Sequence, residues 1–246
     1  MILFKYFQLA QHLLRAVVLL AFVFPFLSVK NQRIRVSKWS KELLTIFQIY
    51  PEYLNVSLIP QSGGLLISNH ISWIDIFLIN SHQYNRFVAK SEVASWPLFG
   101  WFAKRINTLF IDRNSKSAIK HINAKITECL NKGEYICIFP EGTSTDGKSI
   151  LPFKSNLLQS VLNSDKECIP LAITYEELHS GDPSTSTAFI GDMTLLESID
   201  KIMRSPPIVA KLIFLSPCLE NEDRKKLAIE AKVKIEQARN NEITVS

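Results

Sequence analysis

The sequence is poor in the residues that many catalytic centres are built from. Its 246 residues hold four cysteines, Cys129, Cys137, Cys168 and Cys218, with no C-x-x-C spacing and no histidine pair nearby. Zinc and dithiol redox motifs are thereby excluded. Cys137 and Cys168 lie in apolar runs, where buried free thiols are the plain reading, and a reduced, cytosol-facing compartment fits this usage. No G-x-S-x-G occurs, so the nucleophile turn of the serine hydrolases is missing. No histidine has a second His or Cys at ligand spacing, and no metal site is expected. Internal repeats and low-complexity tracts are also absent. Acidic residues are nearly absent from residues 1–50, which carry seven basic residues against Glu42 alone, a net +6. The remainder carries 21 basic and 22 acidic residues, so the overall +5 is entirely N-terminal. A surface that coats nucleic acid is disfavoured by that distribution. What is present is an ordinary globular balance, 47% hydrophobic and 21% charged, with a mean hydropathy of +0.09. One domain with a sizeable core is expected, and a disordered or fibrous chain is excluded.

The apolar material is unevenly spread. Over residues 2–15, Lys5, Gln8, His12 and Arg15 recur at three and four residues and predict an amphipathic helix, with Ile2, Leu3, Leu9, Leu13 and Leu14 filling the other side. Residues 16–27 are then apolar all round. No small-x-small cleavage site follows, which argues against a signal peptide. The uncharged run, residues 16–29, makes roughly 21 Å of helix against a hydrocarbon core of about 30 Å. Extending it backwards puts Arg15 near mid-membrane at a cost of roughly 2.5–3.5 kcal/mol. A half-buried or re-entrant anchor is therefore favoured over a full span, with a buried helix of a soluble core as the alternative. Lys30, Arg33, Arg35, Lys38 and Lys41 follow directly and suit anionic head groups on the cytoplasmic face, the inner membrane if the source is bacterial. The expected organisation is an anchoring segment, 1–50, and a globular domain, 51–246.

Beyond residue 55, short apolar strands alternate with helices. Strands are predicted at 65–67, 87–89, 108–111, 135–139, 169–174, 188–190 and 208–215, and helices at 72–81, 96–104, 115–131, 152–162 and 223–238. The alternation argues for an α/β fold with a largely parallel central sheet flanked by helices. Such sheets bind ligands where strands end. Four ends carry polar clusters. After the first strand stands Asn69-His70-Ile71-Ser72-Trp73-Ile74-Asp75. Five residues across a strand-to-helix turn bring the Asp75 carboxylate to the His70 imidazole, fixing a tautomer and leaving the other nitrogen as a general base. Ser72-x-x-Asp75 equally reads as a capping box. Phe139-Pro140-Glu141-Gly142-Thr143 ends another strand; it is either a type I turn or a carboxylate and a hydroxyl beside backbone amides facing a polar head group. Arg113 sits at the exit of 108–111, Lys154 in the first turn of the 152–162 helix, and Lys90 at the end of 87–89. Singly these three read as solvated charges; together with His70 they converge on one sheet edge and suit an anion.

The pair N-H-x-x-x-x-D (Asn69, His70, Asp75) and F-P-E-G-T (Phe139 to Thr143) resembles the glycerolipid acyltransferase family, which includes the 1-acylglycerol-3-phosphate acyltransferases. A near match to its second motif is Asn107-Thr108-Leu109-Phe110-Ile111-Asp112-Arg113, with Asn107 where Gly is usual, and Ile169-Pro170-Leu171 matches the fourth. Asn tolerates positive φ, so that change is mild. The likeness spans residues 65–175 in order. The family often has Arg after F-P-E-G-T, where this chain has Ser144; F-P-E-G-T-S-T-D-G with a later L-P-F-K-S is also similar to lyso-ornithine lipid acyltransferases.

The resemblance implies a membrane-associated acyltransferase that moves a fatty acyl group from acyl-CoA or acyl-carrier protein to a lysolipid hydroxyl. His70 and Asp75 would be catalytic, and Arg113, Glu141, Gly142, Thr143, Lys154 and Lys90 would bind substrate. No cofactor beyond the thioester donor is implied, and the partners are the bilayer and the lysolipid, not nucleic acid. A membrane-peripheral lipid-binding protein without turnover is the non-enzymatic alternative.

Overall fold

A computed structural model describes residues 2–112 and 115–245, with side chains as far as residue 240. The chain opens with α1 (Ile2–Val18), which continues through a π turn (Leu19–Val23) and a 3-10 turn (Phe24–Phe26) before α2 (Val29–Ile46). Then follow β1 (Ile49–Leu54), β2 (Gly64–Ser68), α3 (Ile74–His82), β3 (Arg86–Lys90), α4 (Phe99–Arg105), β4 (Leu109–Ile111), α5 (Lys116–Asn131) and β5 (Tyr135–Ile138). A short α6 (Gln159–Leu162), β6 (Cys168–Glu177), α7 (Leu195–Arg204), β7 (Ile208–Phe214) and α8 (Arg224–Val245) complete it.

The seven strands form one sheet in the order β1-β7-β6-β2-β5-β3-β4. Every pairing is parallel except β6 with β7. The expected α/β class with a largely parallel sheet is what the chain adopts. Strands buried on both faces read as continuous apolar runs rather than alternating ones. In β2 and β5, Leu66 and Cys137 face a core shared with α2, α3 and α7, while Leu65, Ile67, Ile136 and Ile138 face α5 and α8. Because β2, β5, β3 and β4 run the same way, their C-terminal ends open along one edge. That edge carries Asn69, Phe139, Lys90 and Asp112.

The N-terminal helix turns two residues of its polar stripe, Lys5 and His12, inward, while Arg15 stays exposed. Lys5 Nζ donates to Gln48 Oε1 (2.7 Å) and to the Met203 carbonyl (3.0 Å), and buried His12 stacks on Trp39 with ring centroids 4.4 Å apart. The opposite face leaves Leu3 (81%), Phe22 (71%) and Phe26 (87%) exposed, with Phe4, Phe7 and Leu14 beside them. Ile2–Phe26 is long and apolar enough to cross a membrane by length and composition.

Several expectations are corrected by the fold. No strand forms at 188–190: Ala188 is apolar because it packs into the core, and the Phe189 N–H instead binds the Ile71 carbonyl (3.0 Å). The helix expected at 152–162 is a 3-10 turn (Ser155–Leu158) running into α6, since Lys154 stays extended and its N–H is taken by the Pro140 carbonyl (3.0 Å). Lys154 is thus ahead of the helix and not in its first turn. The helix expected from residue 96 begins at Phe99, delayed by a γ-turn in which Leu98 has φ 62° and the Phe99 N–H binds the Pro97 carbonyl at 2.6 Å. Three elements were unforeseen. Edge strand β1 contains Pro51, which an edge tolerates. Helix α2 was read only as a basic flank, yet Val36, Ser40, Leu43 and Leu44 give it a buried face. Helix α7 starts at a capping box, Thr194 with Glu197. The boundary expected after residue 50 falls inside β1, and Leu9, Leu43, Leu44 and Phe47 belong to the same core cluster as β2 and β6.

Candidate active site

The turn from β2 into α3 sets the first group. His70 Nδ1 lies 2.8 Å from Asp75 Oδ2, and the same oxygen accepts the backbone N–H groups of Ile71 (2.8 Å) and Ser72 (2.9 Å). One carboxylate oxygen thus serves both the imidazole and the backbone amides of the turn. Its second oxygen accepts the Tyr175 hydroxyl at 2.6 Å. Asp75 is fully buried while the His70 side chain stays 21% exposed. A carboxylate so supplied with donors is held rigidly and holds the imidazole in one orientation. With Nδ1 engaged, Nε2 is the nitrogen left for a substrate proton. Asn69 fixes the strand end: its side chain donates to and accepts from the Ile173 backbone on β6 (3.0 and 2.8 Å).

The loop after β5 holds His70 from the other side. Phe139 stacks on the imidazole with centroids 4.1 Å apart and planes inclined by 15°. Glu141 is turned inward, 3% exposed. Its Oε1 accepts the His70 N–H (2.7 Å) and its Oε2 the Leu151 N–H (2.8 Å), so it positions backbone instead of facing a head group as the sequence had suggested. Burial pushes its carboxyl above the ordinary range, against the pull of those two backbone bonds. Gly142 takes φ 80°, where a side chain would be strained. Thr145 closes the loop by donating its N–H to the His70 carbonyl (2.9 Å).

His70 borders an apolar cavity of about 400 Å³. The N-terminal segment (Ala16, Leu20, Phe24), α2 (Trp39), α3 (Phe77) with Trp73 just ahead of it, and α4 (Phe102) form most of its wall. Lys90, Gly142 and Thr143 line it beside His70, so four of the expected site residues meet there. Asp75 and Glu141 stand behind them. Lys154 is exposed and is not part of the lining. Arg113 lies outside the described residues. Arg35 of α2, which the sequence suggests only as a head-group contact, also lines the cavity. Asn107 does take positive φ, 60°, as a Gly replacement requires. Ser144 uses its hydroxyl on the Phe189 carbonyl. Among the described residues no group of His, Cys, Asp or Glu is arranged to hold a metal ion.

Tyr175 escaped the sequence reading because it lies 100 residues beyond Asp75. The available signal was a phenol inside the buried strand β6, on the same face as Leu171 and Ile173. Burial, with Asp75 beside it, pushes its hydroxyl well above the usual range, so it stays a hydrogen-bond donor.

The sequence profile described as Acyltransferase matches residues 51–174. Lyso-ornithine lipid O-acyltransferase of Pseudomonas aeruginosa is 36% identical over 70% of this chain and 66% of its own length. 1-acyl-sn-glycerol-3-phosphate acyltransferase of Neisseria gonorrhoeae is 34% identical over 72% and 68%. The match thus spans about two thirds of these curated relatives. The fold is similar to that in the crystal structure of the 1-acyl-sn-glycerophosphate (LPA) acyltransferase PlsC from Thermotoga maritima, with a TM-score of 0.68 at 20% identity, covering 97% of this chain and 94% of that one. Motif order, sheet architecture and these matches agree: the chain belongs to the glycerolipid acyltransferase family.

Proposed function

We propose that this protein works at a membrane surface and transfers a fatty acyl group from an acyl thioester, on CoA or acyl-carrier protein, to the hydroxyl of a lysolipid. The observation that carries the proposal is the His70–Asp75 pair at 2.8 Å, buried behind and open in front onto an apolar cavity wide enough for hydrocarbon. Asp75 holds Nδ1–H, and Nε2 takes the proton of the lysolipid hydroxyl as its oxygen attacks the thioester carbonyl. The C–O bond forms, the C–S bond breaks, and the proton returns from Nε2 to the departing thiolate. No covalent enzyme intermediate is required. Lys90 and Thr143, at the rim, face the polar part of the substrates, and Arg113 and Lys154 are assigned there only by their motif positions.

The first acceptor proposed is 1-acylglycerol-3-phosphate. A second, lyso-ornithine lipid, is favoured by Ser144, which brings no cation to the loop and is already bonded to Phe189. The outward apolar face of α1 supports docking in the plane of the bilayer, with Leu3, Phe22 and Phe26 among the inserted residues and the basic α2 against anionic head groups. Each such side chain contributes about 1.5–3 kcal/mol when it leaves water.

The test uses membranes containing the protein, labelled acyl thioester, and each lysolipid offered separately. Wild type should label one acceptor, and His70→Ala should lower turnover by at least about 100-fold. Full activity in His70→Ala would refute the mechanism, and labelling of neither acceptor would leave a lipid-binding protein.

A further inference from the structure

Arg239, on α8, is 6% exposed and donates from Nη2 to the Gly147 carbonyl, 92 residues earlier. One turn before it, Ile235 packs with Ile150, Ala172 and Ile213, so α8 is seated on the same loop that follows Glu141. That loop closes a ring around His70: Glu141 takes its N–H and Thr145 binds its carbonyl. Arg239 lies beyond residues 51–174, the stretch shared with the family profile.

We propose that Arg239 is a positioning residue, which pins the 142–151 loop through the Gly147 carbonyl and brings its charge to bear on Glu141, so that both carboxylate oxygens hold backbone N–H groups beside His70. The proposal rests on His70 as the base. The charged groups around Glu141 are His70 and Arg239; those around Arg239 are Glu141, Asp146 and, on its own helix, Glu236. Burial raises the Glu141 carboxyl and lowers the Arg239 guanidinium, and their mutual attraction opposes both. Without the guanidinium, Glu141 takes a proton at higher pH, and the neutral carboxyl holds its two N–H groups more weakly than the carboxylate does.

The full-length protein in detergent is compared with Arg239→Gln and Arg239→Lys, with folding checked by circular dichroism. Arg239→Gln should lower kcat at least about tenfold, and move the acid limb of its pH profile up by about one unit. Arg239→Lys should restore the limb. An independent readout is a ¹³C-carboxyl NMR titration of labelled glutamate, with the Glu141 signal assigned by its absence in Glu141→Gln. Its midpoint should rise in Arg239→Gln and stay near wild type in Arg239→Lys. An unchanged midpoint in Arg239→Gln overturns the proposal, as does lost activity with an unmoved pH profile. Should Arg239→Gln not fold, a raised midpoint in Arg239→Lys overturns it and an unmoved one upholds it. If wild type acylates no lysolipid the proposed function fails, while the titration still decides the role of Arg239.

Discussion

Asp75 accepts four hydrogen bonds on two oxygens, from His70, Ile71, Ser72 and Tyr175. The first serves the proposed chemistry; the other three satisfy a wholly buried carboxylate, which without donors would cost several kcal/mol to bury. Glu141 repeats the device with two backbone donors. Its raised carboxyl sets a pH dependence of known sign. In the unfolded chain Glu141 ionises near about 4.3, and in the folded chain only at higher pH. Between these values the unfolded state alone has lost its proton, so the carboxyl's contribution to stability is full below the window and falls as pH rises through it. Glutamine cannot ionise. The melting-temperature deficit of Glu141→Gln should therefore be largest below about pH 4 and shrink with rising pH; a deficit that grows would contradict burial as the dominant effect. His70 and Asp75 were legible because one turn joins them. Tyr175 and Arg239 were not, since contacts across 100 and 92 residues leave no local pattern.

Among the elements, α1 keeps the period that the sequence predicts, and its packing decides which face is outside. Of the polar stripe, Lys5 and His12 bond inward to Gln48, Met203 and Trp39, while Arg15 stays exposed. Turning Lys5 and His12 inward while displaying Phe4, Phe7, Phe22 and Phe26 inverts the order that water imposes, and suits the lipid contact proposed for this segment. Co-sedimentation with anionic vesicles tests this: Phe22→Glu with Phe26→Glu should cut the bound fraction about tenfold or more, and unaltered binding would remove the docking face. The strands with continuous apolar runs were legible because both sheet faces are covered. Helix α2 was masked by its own charges, and 188–190 was mistaken for a strand because burial alone had produced its hydrophobicity.

For the molecule as a whole, no single element owns the cavity. Residues from Ala16 to Leu195 line it, drawn from α1, α2, α3, α4, β3, the loop after β5 and the start of α7. The expected division after residue 50 described charge rather than packing. Leu9, Ala16, Leu20 and Phe24 are buried, so removing residues 1–26 should do more than release the protein from membranes. The shortened protein should melt at least about 10 °C lower in detergent, from the loss of several buried side chains. A truncated form with wild-type melting temperature would mean that the segment is an anchor and nothing else.

The roof of the cavity and the clamp on its loop also stand far apart in the order of synthesis. A ribosome adding roughly 5–20 residues per second delivers Phe24 early and Arg239 on the order of ten or more seconds later. For the later part of that interval the N-terminal segment and the 70–75 segment are already made, but not the residue proposed to pin the loop behind them. On the proposed docking, the apolar face of the N-terminal segment is available to a bilayer before the ring around His70 can close, and a chain stalled before α8 would lack that ring.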